Sequence, residues 1–222
     1  MNKLNDIDEN LNQKDHVDIL ERSRQTLENI MTVVSRRLSL GQMLETSTND
    51  VTITVKKDVL EGIFQSRSKP GASFIDFGHE LQQRYSAAWD CSDDSLLTCS
   101  GVIILIQHYE GTMEHLMLGD NIIQSADMLD VYLANPKTGE ILDVTNLTVP
   151  VTITFPLFSG PPLNSEVYCY YWDNDHNAWS RSGVHSLVNE SRATVKCNTT
   201  HLTQFTVLSV AQEMMSSYYP NI

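Results

Sequence analysis

The chain reads as a mainly β protein, an antiparallel β-sandwich preceded by a short α-helical subdomain. Three observations predict this. Apolar residues recur at helical spacing only between residues 15 and 40. From about Asp50 onward they recur in short alternating or continuous runs, and turn residues separate those runs at regular intervals. At 222 residues, the chain can bury a real core in one large or two small domains.

In order along the chain, Val17, Leu20, Leu27, Ile30, Met31, Val34 and Leu38 predict one amphipathic helix ending near Gly41. Val51–Val55 alternates as a half-buried strand, and Gly101–His108 reads as a fully buried one. Asp130–Ala134 is expected to pair with Ile141–Val144 across Asn135–Gly139, whose Pro136 and Gly139 signal a turn. Four more strands follow, at 149–156, 166–172, 193–197 and 203–210. Pro150 and Pro156 predict that the first of these is an edge strand or carries bulges. The expected organisation is a helical subdomain over 1–48, a sandwich over 49–210 and a juxtamembrane tail over 211–222.

The formal charge of −13 argues against a nucleic-acid partner or an anionic membrane surface. No apolar run approaches the roughly 18 residues that span a bilayer, and the first residues lack the apolar core of a signal peptide. Three Asn-x-Ser/Thr sequons, at Asn146, Asn189 and Asn198, point to secretion and to glycosylation there. The chain is therefore expected to be a piece of a longer extracellular or membrane-anchored protein.

Four cysteines, Cys91, Cys99, Cys169 and Cys197, permit three disulfide pairings. Zinc is not expected, since no C-x-x-C pair exists and the histidines lack ligand spacing. Asp173–Asn177 starts like a calcium loop, but the sixth and twelfth positions are Ala178 and Val184, so a turn built by Asx side chains is expected. No cofactor motif is present; there is neither a Gly-rich phosphate loop nor a G-x-S-x-G elbow. His79-Glu80 lacks the second histidine of a zinc protease, and His108, His115 and His185 default to structural or solvent roles. Trp172 and Trp179 are expected to pack around the Cys169 bridge rather than to bind a ligand.

The most informative feature is His201-Leu202-Thr203. A histidine two residues before a hydroxyl residue can take the hydroxyl proton, and the freed oxygen can attack the preceding carbonyl. The resulting ester is then split by water between Leu202 and Thr203. Such triplets are common by chance, so the surroundings decide. Upstream lie Cys169-Tyr170-Tyr171-Trp172-Asp173, then Trp179-Ser180-Arg181-Ser182-Gly183, then Cys197; downstream comes Phe205-Thr206-Val207-Leu208. This ordered series, over about 167–210, resembles the proteolysis site of GAIN domains, which occur in adhesion G-protein-coupled receptors and in polycystins.

The resemblance implies the following. His201 is the base, Thr203 the nucleophile and Leu202 the carbonyl donor of a single-turnover cut in cis, with no turnover of external substrates. The family site usually holds two bridges; here one is kept as Cys169–Cys197, while Val184 and Thr199 fill the places of the other, which leaves Cys91 to pair with Cys99. The freed strand is expected to stay bound as the chain's own partner through Phe205, Val207 and Leu208. In receptors of this type it acts as a concealed ligand. The parent would be a multi-span receptor or channel subunit on the extracellular side of the plasma or ciliary membrane. Asp127–Leu133 and Asn146–Ile153 resemble the corresponding strand pair of polycystins, which favours that branch. The alternative is a non-cleaving adhesion sandwich linking an ectodomain to the membrane.

Overall fold

The computed structural model describes residues 26–27, 29–34, 36–60, 63–86, 101–111, 122–158, 165–176 and 178–211. Cys91, Cys99, His115, the first part of the expected helix and the tail beyond 211 lie outside them. Two antiparallel sheets face one another. The larger runs β1 (Met43–Ser47), β2 (Val51–Asp58), β5 (Val102–Tyr109), β7 (Met128–Ala134), β13 (Gln204–Ala211), β9 (Ser165–Asp173) and β10 (Ala178–Ser180), with β6 (Ile122–Gln124) beside β13. The smaller runs β11 (Val184–Val188), β12 (Thr194–Thr199), β8 (Val151–Pro156), β4 (Phe74–Asp76) and β3 (Ile63–Gln65).

The uninterrupted apolar run of β5 has a simple cause. Val102, Ile104 and Ile106 face the core between the sheets, among Phe77, Leu129, Ile153, Phe155 and Phe205. Ile103 and Leu105 face the other way, and a helix, α1, whose described residues lie within 26–34, covers them. Within 26–34 the residues described are helical, and Leu27, Met31 and Val34, with Leu38 beyond the helix, lay a stripe on Val55, Ile103, Leu105 and Ala134. Covered on both faces, Val102–Ile106 stays apolar at every position, and only Gln107 and His108 near the strand's end are polar. Gly139, at φ +78°, lets the β7 turn press on α1: a Cβ there would stand 2.4 Å from the Thr32 Cα.

Four expectations change here. Residues 36 and 37 already form a turn, so the helix ends well before Gly41, where Gly41 and Gln42 bond with Lys57 to start the sheet. A strand, β1 at Met43–Ser47, falls inside the 1–48 stretch assigned to the helical subdomain. The predicted pairing of Asp130–Ala134 with Ile141–Val144 shrinks to one bridge, Ala134 with Ile141. Beyond it the chain leaves the sheet so that Leu142, Val144 and Leu147 fill the core. β8 is not an edge strand but lies between β12 and β4. Its prolines are tolerated because Pro150 precedes the strand and Pro156 lies past the last β4 pair, Phe74 with Thr154. The short strands β3, β4, β6, β10 and β11, and helix α2 (Gly78–Ser86), complete the fold.

Candidate functional site

The turn at 200–203 joins β12 of one sheet to β13 of the other. One disulfide fixes its base: Cys169 on β9 and Cys197 on β12 are joined across the sheets, with Cα atoms 5.7 Å apart. Cys169 lies opposite Val207, so the bridge ties the strand that cradles β13 to the strand leading into the turn. Leu202 packs against the core, its amide donating to the Val144 carbonyl at 3.0 Å. Two residues earlier, the Thr200 carbonyl accepts from the Leu147 amide at 3.0 Å. The stray segment 142–147 thus forms the rail along which the turn is held.

His201 is half-buried between two rings, with Tyr171 at 4.4 Å edge-on and Phe205 at 5.8 Å. Burial lowers its pKa, and the Asp173 carboxylate partly opposes that shift. The Thr199 hydroxyl donates to the His201 carbonyl at 3.0 Å, and the same oxygen lies 3.3 Å from His201 Nδ1. With its hydrogen on that carbonyl, Thr199 accepts from Nδ1, and this assignment of the network puts the imidazole proton on Nδ1. Nε2 is buried without a hydrogen-bond partner and is left with the basic lone pair.

Thr203 sits differently from a reacting nucleophile. Its hydroxyl donates to the Trp172 carbonyl at 3.2 Å, and its carbonyl accepts from the Val131 amide at 3.3 Å. Among the described residues only Asn146 and Arg192 are non-glycines with positive φ, so no left-handed strain marks Leu202 or Thr203. Sequence brings base, carbonyl and hydroxyl into one turn; the structure adds Thr199, Tyr171, Trp172, Val131 and Val144, whose roles depend on long-range pairing.

After the turn, Phe205, Val207 and Leu208 are buried, Phe205 and Val207 in the inter-sheet core and Leu208 on the opposite face by strand parity. Gln204 lies opposite Asp130, and its Nε2 donates to Asp130 Oδ2 at 3.2 Å. Tyr132 donates to the same oxygen at 2.9 Å, while Oδ1 has no partner. Burial pushes the Asp130 carboxyl up to about 6, against the effect of those donors.

The tryptophans require a correction. Trp172 and Trp179 are cross-strand partners on β9 and β10, their rings 5.5 Å apart and edge-to-face. Trp172 has the opposite parity to Cys169 on β9, so the pair stacks on the far side of the sheet and not around the bridge. Asp173 does build the expected turn, accepting from the Asp175 and His176 amides at 3.0 and 3.2 Å. Asn146 and Asn189 are exposed, whereas Asn198 is half-buried and accepts from Thr152 at 2.9 Å. His185 is exposed on β11.

A second constellation was not foreseen. His108 Nδ1 lies 2.7 Å from Ser66 Oγ and Nε2 lies 2.6 Å from Asp127 Oδ2. Ser66 and His108 are both 0% exposed, so no substrate reaches them. The serine, histidine and aspartate here act as a cross-sheet clamp, joined by Arg67 through Asp127 and Glu110. Among the described residues no group of three or more His, Cys, Asp or Glu is placed to hold a metal ion. No described helix is long and apolar enough to cross a membrane.

A family model described as GPS: GAIN subdomain B matches residues 126–213, which include the whole site. The human adhesion G-protein coupled receptor F1 is 33% identical over 84 residues, 37% of this chain and 8% of the receptor. The full extracellular region of zebrafish Gpr126/Adgrg6 superposes with a TM-score of 0.46 at 15% identity, covering 73% of this chain and 23% of that one. The chain spans only a small part of either relative.

Proposed function

We propose that this chain contains a GAIN-type autoproteolytic module from the extracellular side of a membrane receptor, cutting itself once between Leu202 and Thr203. One observation carries the reading: within a stretch matched by the GAIN subdomain B model, His201 presents an unpartnered basic nitrogen one residue from the Leu202–Thr203 peptide. The likeness to an adhesion receptor favours that type of parent over the polycystin branch expected from Asp127–Leu133.

The chemistry follows from the donors present. Thr203 turns its hydroxyl from the Trp172 carbonyl to His201 Nε2, which takes the proton as Oγ attacks the Leu202 carbonyl carbon. The C–N bond breaks, the amide nitrogen receives the proton from His201, and an ester joins Leu202 to Thr203. Water then releases the Leu202 carboxylate and restores the hydroxyl. Burial keeps His201 neutral and ready to accept. Afterwards β13 stays in its sheet; burying Phe205, Val207 and Leu208 contributes roughly 5–8 kcal/mol before entropy.

The second reading is a non-cleaving sandwich, and the Thr203–Trp172 hydrogen bond with ordinary backbone at the turn favours it. Intact mass of the folded, secreted protein under denaturing conditions separates the two. Self-cleavage yields a piece ending at Leu202 and one beginning at Thr203, abolished in Thr203→Ala and kept in Thr203→Ser. A single uncut mass from folded wild type leaves only the sandwich.

A further inference from the structure

We propose that Asp130 is a positioning residue for the cut: its carboxylate holds Gln204 while the next amide, of Val131, holds the Thr203 carbonyl, fixing the amine side of the Leu202–Thr203 bond to β7. This rests on the self-cleavage reading and assigns a new role within it. The two halves of the scissile peptide are gripped by different segments. On the acyl side Leu202 hangs from Val144, and Thr200 from Leu147. On the amine side β7 meets β13 only at Gln204 and Phe205, after which β13 passes to β6. Beyond the reacting Thr203 itself, Asp130 to Gln204 is therefore the first side-chain anchor after the bond that breaks.

Attack within the chain needs Thr203 Oγ to approach the Leu202 carbonyl by rotation about the threonine side chain. That rotation brings the atoms together only if the flanking backbone does not yield. An anchor on each side turns side-chain rotation into approach; a loose Gln204 would let the strand slip and dissipate it. The cost of the anchor supports the assignment. Asp130 is 2% exposed and one of its oxygens has no partner. An ion buried this way weakens a fold, and an apolar residue of similar size would be tolerated at least as well for stability alone. What the carboxylate supplies is a charge-assisted hydrogen bond, stronger than a neutral one, in the two-residue stretch where β7 pairs with the new N-terminal strand.

Pulse–chase expression of the whole chain in secretory cells gives the first-order rate of cutting, with the folded fraction of each variant followed by thermal denaturation. Asp130→Leu and Gln204→Leu should each slow cutting about tenfold or more, and the double variant should be no slower than the slower single, because both remove one interaction. Asp130→Asn with Gln204→Glu reverses donor and acceptor across the same pair and should return the rate to within about threefold of wild type. Folded Asp130→Leu and Gln204→Leu variants that cut at the wild-type rate would overturn the assignment. So would additive slowing that the reversed pair does not restore, since a purely structural residue behaves that way. A folded wild type that never cuts is a separate result; it removes the reaction and this role with it.

Discussion

Val184 on β11 stands directly opposite Thr199 on β12, and both are buried on the core side. They fill the two places where the resemblance to GAIN domains implies a second bridge, and neither is a cysteine here. The Thr199 hydroxyl has taken on other work, holding the His201 carbonyl and ring.

Restoring both cysteines should therefore close a disulfide without moving the backbone. Directly opposed strand residues have Cβ atoms close enough for S–S bonding. Val184→Cys with Thr199→Cys should raise stability by about 3 kcal/mol for a loop of this length. Non-reducing peptide mapping checks the bond. Cutting should slow in the same variant, because Nδ1 loses its oxygen partner.

The native bridge can be removed in the opposite test. Cys169→Ala with Cys197→Ala opens a loop of sequence separation 28, and the chain-entropy estimate is roughly 3–4 kcal/mol lost. Chemical denaturation reads it directly, and a loss well below 1 kcal/mol would show that the sheets hold without the link.

Asp130 makes stability depend on pH with a definite sign. Its folded carboxyl titrates at about 6 and its ordinary value is 3.8, so the folded state binds the proton more tightly. Its contribution to stability is then greatest below pH 4, falls as pH rises through 4 to 6, and stays lower above that. The difference is about 3 kcal/mol. Asp130→Asn should match wild type near pH 4 and exceed it by up to that amount at pH 7.5, in melts at both values.

His201 sets the pH dependence of cutting. Its pKa is lowered by burial, with Asp173 partly opposing, so more of the ring is neutral at pH 7 than in an ordinary histidine. The cleavage rate should stay flat from pH 8 to neutrality and fall only on the acid side of the usual histidine range. A rate already halved near pH 7 would contradict the buried placement of the ring.

Much of this was legible in the sequence, for reasons that are local. β5 announced itself by a run apolar on both faces, β9 and β13 by cysteine, aromatic and apolar residues at strand spacing, and the β9–β10 turn by Asp173. The three-residue strands β3, β4 and β10 carry too few residues to show a period, and β1 holds no alternation, with every residue exposed except half-buried Glu45. The site divided the same way. His201, Leu202 and Thr203 are consecutive and could be read; Val131, Val144 and Asp130 serve the turn only through pairings 58 to 74 residues away along the chain. Ser66, His108 and Asp127, widely spaced, were invisible for the same reason.

β13 has neighbours on both sides, β9 along one edge and β7 with β6 along the other. A cut before Gln204 therefore turns an internal piece of architecture into a bound peptide, and its lifetime becomes a dissociation rate. Exit must unzip two ladders at once, which makes spontaneous loss slow and a steady pull effective. Once the strand has gone, the remaining sheet is a vacant slot between two unpaired edges, a shape that accepts any strand of suitable pattern. The departing fragment and the remnant it leaves would both be adhesive, and that remnant would be open to refilling from another chain.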